Sequence, residues 1–237
     1  MEILPEILYN FSVIQLIKKN AQVFSYLIGI DLAIVLLHLF LARNWTFFHL
    51  DHELNLPTFW QSGKLILFGS LYFLTSFTKR FGKELRSFIL PLAIFTTFLG
   101  LDELLQIHEN IYRIFEFLPW LHPSKIVDAS MKLGYRSSLW ILYYLPFIFL
   151  FVFWSGYWLR YFQDRIKSNF WIILVSSFSL LTILVMEVMS STGTYSDNTY
   201  FIMVTIEESA EMLLGSTLVL VGLKVLDRAI SQKTKNR

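Results

Sequence analysis

The sequence predicts an all-α, polytopic membrane helix bundle of about six transmembrane helices, and composition and apolar runs predict it together. Of 237 residues, 55% are hydrophobic, with 23 Phe, 11 Tyr and 7 Trp, and only 16% are charged. A soluble domain carries about 25% charged residues. Apolar runs close to the roughly 20 residues that a helix needs to cross the hydrocarbon recur along the chain. The net charge of +2 gives no basis for nucleic-acid binding. The absence of cysteine excludes disulfides, thiolate metal ligands and cysteine nucleophiles.

In chain order, residues 1–21 read as an interfacial N-terminal helix. MEILPEILYNFSVIQLIKKN carries glutamates where a cleavable signal would carry lysines. Six spans follow, at approximately 22–42, 63–79, 87–107, 137–159, 170–190 and 201–223. The second is the shortest, and the third runs into polar residues at its end. SSTGTYSDN (190–198) reads as a turn between spans. No internal repeat, low-complexity tract or Gly/Ser linker interrupts the chain, so residues 1–237 read as a single membrane domain.

Basic residues set the orientation. The tails and the loops after spans two and four hold fourteen Lys and Arg, against six on the other side: Arg43, Lys64, Arg113, Lys125, Lys132 and Arg136. Both termini are therefore expected in the cytoplasm. Span three then runs outward, with Asp102 and Glu103 near its outer end and His108 and Glu109 just beyond. Glu187 lies about one turn from the outer end of span five. The acids of span six begin about 10 Å below the outer surface, at roughly 1.5 Å per residue. All five histidines, His38, His49, His52, His108 and His122, fall toward the same side.

FIMVTIEESAEMLLGSTLVLVGL (201–223) is the most informative segment. Each of Glu207, Glu208 and Glu211 costs roughly 2.5–3.5 kcal/mol at a helix centre, which calls for a partner. The three lie across one helical face with Glu211 central. In LDELLQIHENIYR (101–113), a continuing helix would set Asp102, Gln106 and Glu109 within about 60° of arc, with Glu103 on the flank and His108 elsewhere.

Three readings of these acids stay open. In the first, Glu103, Glu207 and Glu211 bind a divalent metal (Fe, Mn or Zn), for which oxygen and imidazole ligands are suited. His108 or Glu109 would be the acid/base. Asp102, Gln106, Glu187, Glu208 and His52 would be supporting or alternative ligands, and the substrate a lipid or amphiphile entering from the bilayer. The spacing is not the Glu-x-x-His of four-helix di-iron proteins. In the second, the acids couple a transporter to protons or cations, with Asp31 the one acid placed to continue a path inward. In the third, they form a structural network with groups such as Arg113, Arg136, Gln106 and Tyr112, some of them protonated by burial. A bis-histidine haem would need His38 and His108 to face each other at similar depth, and no pattern supports it. Any other cofactor is unknown, and the sequence sets no oligomeric state.

Two isolated groups have simpler readings: Asp31 paired with a neighbouring helix's backbone or hydroxyl groups, and His38 as a hydrogen-bonded packing residue. The outer loops 44–60 and 110–125 are dense in aromatics. Trp45, Phe47, Phe48, Trp60, Phe115, Phe117 and Trp120 suit a belt at the bilayer interface. HLDHE would co-orient His49 and His52 only in a helical loop, and Pro57 ends any such helix before Leu56.

The blocks LDHELNLPTFW (50–60), LDELLQIHE (101–109) and IEESAEMLLG (206–215), with Glu187 in span five, together resemble a recurrent family of uncharacterised bacterial multi-spanning inner-membrane proteins. The resemblance covers most of residues 45–220. It implies a bacterial inner-membrane setting and brings no activity or catalytic roles. The last span lacks the His-x-x-x-His of the ceramidase-related zinc hydrolases.

Overall fold

The computed structural model describes residues 15–17, 19–52, 54–77, 82–108, 110–111, 140–161, 170–192 and 194–235, all helical or irregular. The remainder of the expected N-terminal helix and the belt residues Phe115, Phe117 and Trp120 lie outside them. Six long helices follow in order: α1 (Asn20–Leu41), α2 (Leu56–Ser76), α3 (Lys83–Leu105), α4 (Trp140–Tyr161), α5 (Phe170–Thr192) and α6 (Asp197–Lys235). A 3-10 turn, Thr46–Phe48, lies between α1 and α2. Five of the helices are long and apolar enough to cross a membrane. The exception is α2, whose 21 residues bury Gln61, Ser62, Lys64, Thr75 and Ser76.

The boundaries differ most from expectation at α2 and α6. α2 starts at Leu56, seven residues before the expected span, because Asn55 caps it. The Asn55 side chain accepts the Thr58 N–H at 3.2 Å and the Thr58 hydroxyl at 3.2 Å. Pro57 sits in the first turn, where its missing N–H costs nothing. At the other end, the Thr75 and Ser76 hydroxyls bond back to Tyr72 and Phe73 carbonyls at 2.8 and 2.7 Å. α6 has 39 residues. At about 1.5 Å each this is roughly 58 Å, well beyond the apolar run that predicted it.

The chain divides into two compact units: one runs to Leu104 and resumes at Glu211, and the other is Leu105–Ala210. In the first, α6 is central, with residues 215–220 buried on every face. The Tyr72 hydroxyl donates to Val219 O at 2.5 Å, and Asn20 Nδ2 donates to Asp227 Oδ2 at 3.3 Å. These and the contacts below make α2 parallel to α6 and α1 antiparallel to it. Two glycines permit the closest approaches. A Cβ at Gly222 would collide with the Tyr72 ring, and one at Gly100 would lie 2.9 Å from Ser62 O. The second contact sets α3 antiparallel against α2, since Gly69 likewise meets Thr97.

Burial departs from that of a soluble protein: polar side chains join the apolar core while many large apolar ones are exposed. The buried stripe of α1 is Leu27, Asp31, Ile34 and His38, whereas Tyr26 and Phe40 are 74% and 76% exposed. In the second unit, α5 buries Ile172, Ser179, Ile183 and Glu187 while exposing Phe178 and Leu181. α4 exposes Phe147, Phe149, Leu150 and Phe153 and buries Tyr143, Tyr144 and Trp158. Helical spacing thus gathers the polar groups on inner stripes and leaves large apolar side chains outside.

Asn55→Ala removes the acceptor that starts α2. A loss of about 1–2 kcal/mol is expected in unfolding in detergent micelles, and no loss would show that the cap does not define the helix start.

A candidate functional site around a buried ion pair

The earlier start of α2 changes the position of one residue decisively. Lys64, counted above among outer-surface charges, lies about 12 Å into the helix at roughly 1.5 Å per residue, and is only 3% exposed. Its ammonium faces Asp31 of α1, itself 6% exposed, at 3.0 Å to Oδ1 and 3.3 Å to Oδ2. Lys64 also donates to Met212 O at 3.1 Å and to Ser216 Oγ at 2.9 Å, both on α6. The Ser216 hydroxyl donates in turn to Asp31 Oδ2 at 2.5 Å, and the Trp60 indole donates to Oδ1 at 2.6 Å. Lys64 Nζ lies 5.8 Å from the centre of the Trp60 ring. Every ammonium proton has an acceptor, and each carboxylate oxygen receives two donors. A buried ion pair offsets its desolvation only when bonded this completely. One turn back on α2, Gln61 Nε2 donates to Glu211 O at 3.1 Å.

Asp31 thus finds the serine hydroxyl expected for it, and a lysine as well. Trp60 was assigned to the interfacial belt, but its indole N–H points inward to Asp31. Trp45 and Phe47 are exposed as a belt requires. The signal for Lys64 was present in the sequence: Asn-Leu-Pro before an apolar run is a helix start.

Above this network the first loop folds onto α1. The Leu50 N–H donates to His38 Nδ1 at 3.1 Å, and the ring also bonds to the Phe48 backbone. His38 is therefore a packing histidine. The loop around His49 and His52 is not helical, yet a turn brings their rings to 4.7 Å, with His38 and His49 at 5.0 Å. As Pro57 required, no helix crosses Leu56. The His49 pKa is lowered from 6.5 by partial burial first and by neighbouring His52 second, with Asp51 opposing.

The acids of the metal reading are placed as follows. Asp102 and Glu187 are buried; Glu103, Glu207, Glu208 and Glu211 are half-buried, as are Gln106 and His108. Glu103 and Glu211 belong to the first unit, and Glu207 and Glu208 to the second. Glu109 lies outside the described residues. The continuous helix assumed for 101–113 is not formed. α3 ends at Leu105, and Gln106 takes a left-handed φ of 54°. Its carbonyl accepts the Asn110 N–H at 3.2 Å and the Asn110 side chain at 2.9 Å, which closes the break. Gln106 therefore does not continue the helical face of Asp102. His108 packs edge-on to Trp140 at 6.0 Å. Among the described residues, no group of three or more His, Asp or Glu side chains is placed to hold a metal ion.

These features define an all-α protein with several membrane-compatible helices and a charge pair buried among them. The chain belongs to a family known as Domain of unknown function (DUF8692), whose model matches residues 22–225. No curated protein and no solved structure matches it.

Two outcomes test the site. Lys64→Met leaves Asp31 uncompensated and is expected to cost about 3–5 kcal/mol, whereas the double variant Asp31→Leu/Lys64→Met recovers most of that loss. Unfolding in micelles reads both, and simple additivity would contradict the pairing. The depressed His49 pKa means that an unfolded chain takes up its proton first as pH falls. Stability is then fully present above about pH 6.5 and declines below it, and His49→Phe flattens that decline. A decline equal in both proteins would remove His49 as its cause.

Proposed function

We propose that this chain is an integral protein of a bacterial inner membrane, crossing it six times with both ends in the cytoplasm, and that it couples its work to protons or cations. The observation that carries this reading is the Asp31–Lys64 pair. The pair joins α1 to α2, and Lys64 also bonds Ser216 on α6, near the Gln61–Glu211 contact between α2 and α6, so mid-bundle charge adjoins Glu211. Paired charges within apolar helices commonly mark ion paths. With Lys64 interior, fourteen basic residues on the cytoplasmic side stand against five outside. The exposed apolar faces of α1, α4 and α5 suit lipid contact.

In this reading Glu211, with Glu103 and Asp102, collects cations toward the outer leaflet in the first unit, and Glu207 and Glu208 do so in the second. Glu187 and His108 stand in the second unit as further proton carriers. The metal-dependent reading, with a lipid or amphiphile as substrate, draws no support from the described geometry and is not preferred.

Purified protein in liposomes with an internal pH dye, energised by a potassium diffusion potential, tests the proposal. Proton entry above protein-free vesicles is expected, reduced by Glu211→Gln without loss of folded protein. Entry equal to empty vesicles at every pH, with sodium or potassium outside, would contradict it.

A further inference from the structure

The ion pair saturates itself and leaves nothing for its neighbours on α2. Gln61 is 7% exposed, and its amide nitrogen is committed to Glu211 O at 3.1 Å. That contact fixes the amide, since a flip would set two oxygens face to face. Its Oε1 is consequently buried without a donor. Ser62, the next residue, and Thr96, on α3, are 2% and 0% exposed, and neither hydroxyl has a partner. Other hydroxyls on these helices behave differently. Ser25 and Ser87 bond the carbonyl four residues back, at 3.0 and 2.9 Å. Gln61 and Ser62 adjoin Lys64 on α2, and Thr96 is one turn from Gly100, where α3 meets the Ser62 carbonyl. Three such orphaned groups are not an ordinary feature of a dry core, where buried polar atoms are bonded.

We infer that these side chains are hydrated. Water enters the helix bundle of the first unit beside the Asp31–Lys64 pair and supplies the partners of Gln61 Oε1, Ser62 Oγ and Thr96 Oγ1. Buried waters occupy such positions, bonding polar groups that the protein leaves unmatched. Ser62 and Gln61 lie about 9 and 7.5 Å below the start of α2, at roughly 1.5 Å per residue, so the hydrated stretch is reached from the capped end. The inference stands whether or not ions move through the protein.

The chain's lack of cysteine makes the test direct. Ser62→Cys and Thr96→Cys are near-isosteric, and a thiol reacts with a charged methanethiosulfonate only where water lets it ionise. Ile89→Cys, buried on α3 two turns from Thr96, and Leu67→Cys on the exposed apolar face of α2 serve as references. In liposomes, both hydroxyl-site thiols are expected to react roughly tenfold faster than either reference. Rates no higher than the references overturn the inference. Thr96→Val supplies a reading that needs no thiol. A hydrated Thr96 makes the loss of its hydroxyl lower the thermal midpoint, whereas a dry, unbonded Oγ1 makes the same change raise it.

Discussion

The attraction between the Asp31 carboxylate and the Lys64 ammonium is the constraint on which the first unit depends. Neither charge is tolerable alone among apolar helices, and each is rendered tolerable by the other together with Trp60, Ser216 and a helix carbonyl. Because the five groups come from α1, α2 and α6, satisfying them sets the helices in one register. The small groups around the pair then allow close packing. Gly222 admits Tyr72, Gly100 admits the α2 backbone, and Tyr72 ties α2 to α6 about two turns beyond Lys64.

The same logic explains the exposed apolar surfaces. Polar side chains on α1 and α5 occupy the single buried stripe of each helix, while the broad remainder is aliphatic and aromatic. In water such an arrangement would expose its apolar area at large cost. In lipid it removes the polar atoms from hydrocarbon, where every unsatisfied group is expensive. α6, buried all round in its middle, shows neither pattern, as expected of a helix surrounded by others.

Much of the fold was legible because apolar length is a strong signal: α1, α3, α4 and α5 fall within a few residues of the spans read from the chain. α2 was misplaced because hydropathy marks where apolar residues begin, whereas Asn55 and Pro57 mark where the helix begins. That single shift concealed Lys64 as a surface charge and Trp60 as a belt aromatic. The break at Gln106 was illegible for another reason. Neither Gly nor Pro announces it, and its left-handed backbone is held by Asn110, a contact that propensity does not encode. The acids of α6 lie within the helix read as span six and are half-buried there. What they meet depends on packing between helices, which no periodicity along one helix contains.

In the proposed six-span topology, α2 crosses the membrane despite its charge, because that charge is paired inside. Single cysteines at Thr46, before α2, and at Gly82, after it, test this most directly. In intact cells, an impermeant thiol reagent should label Thr46→Cys, and Gly82→Cys only after permeabilisation. Labelling of both positions from the same side would contradict the account.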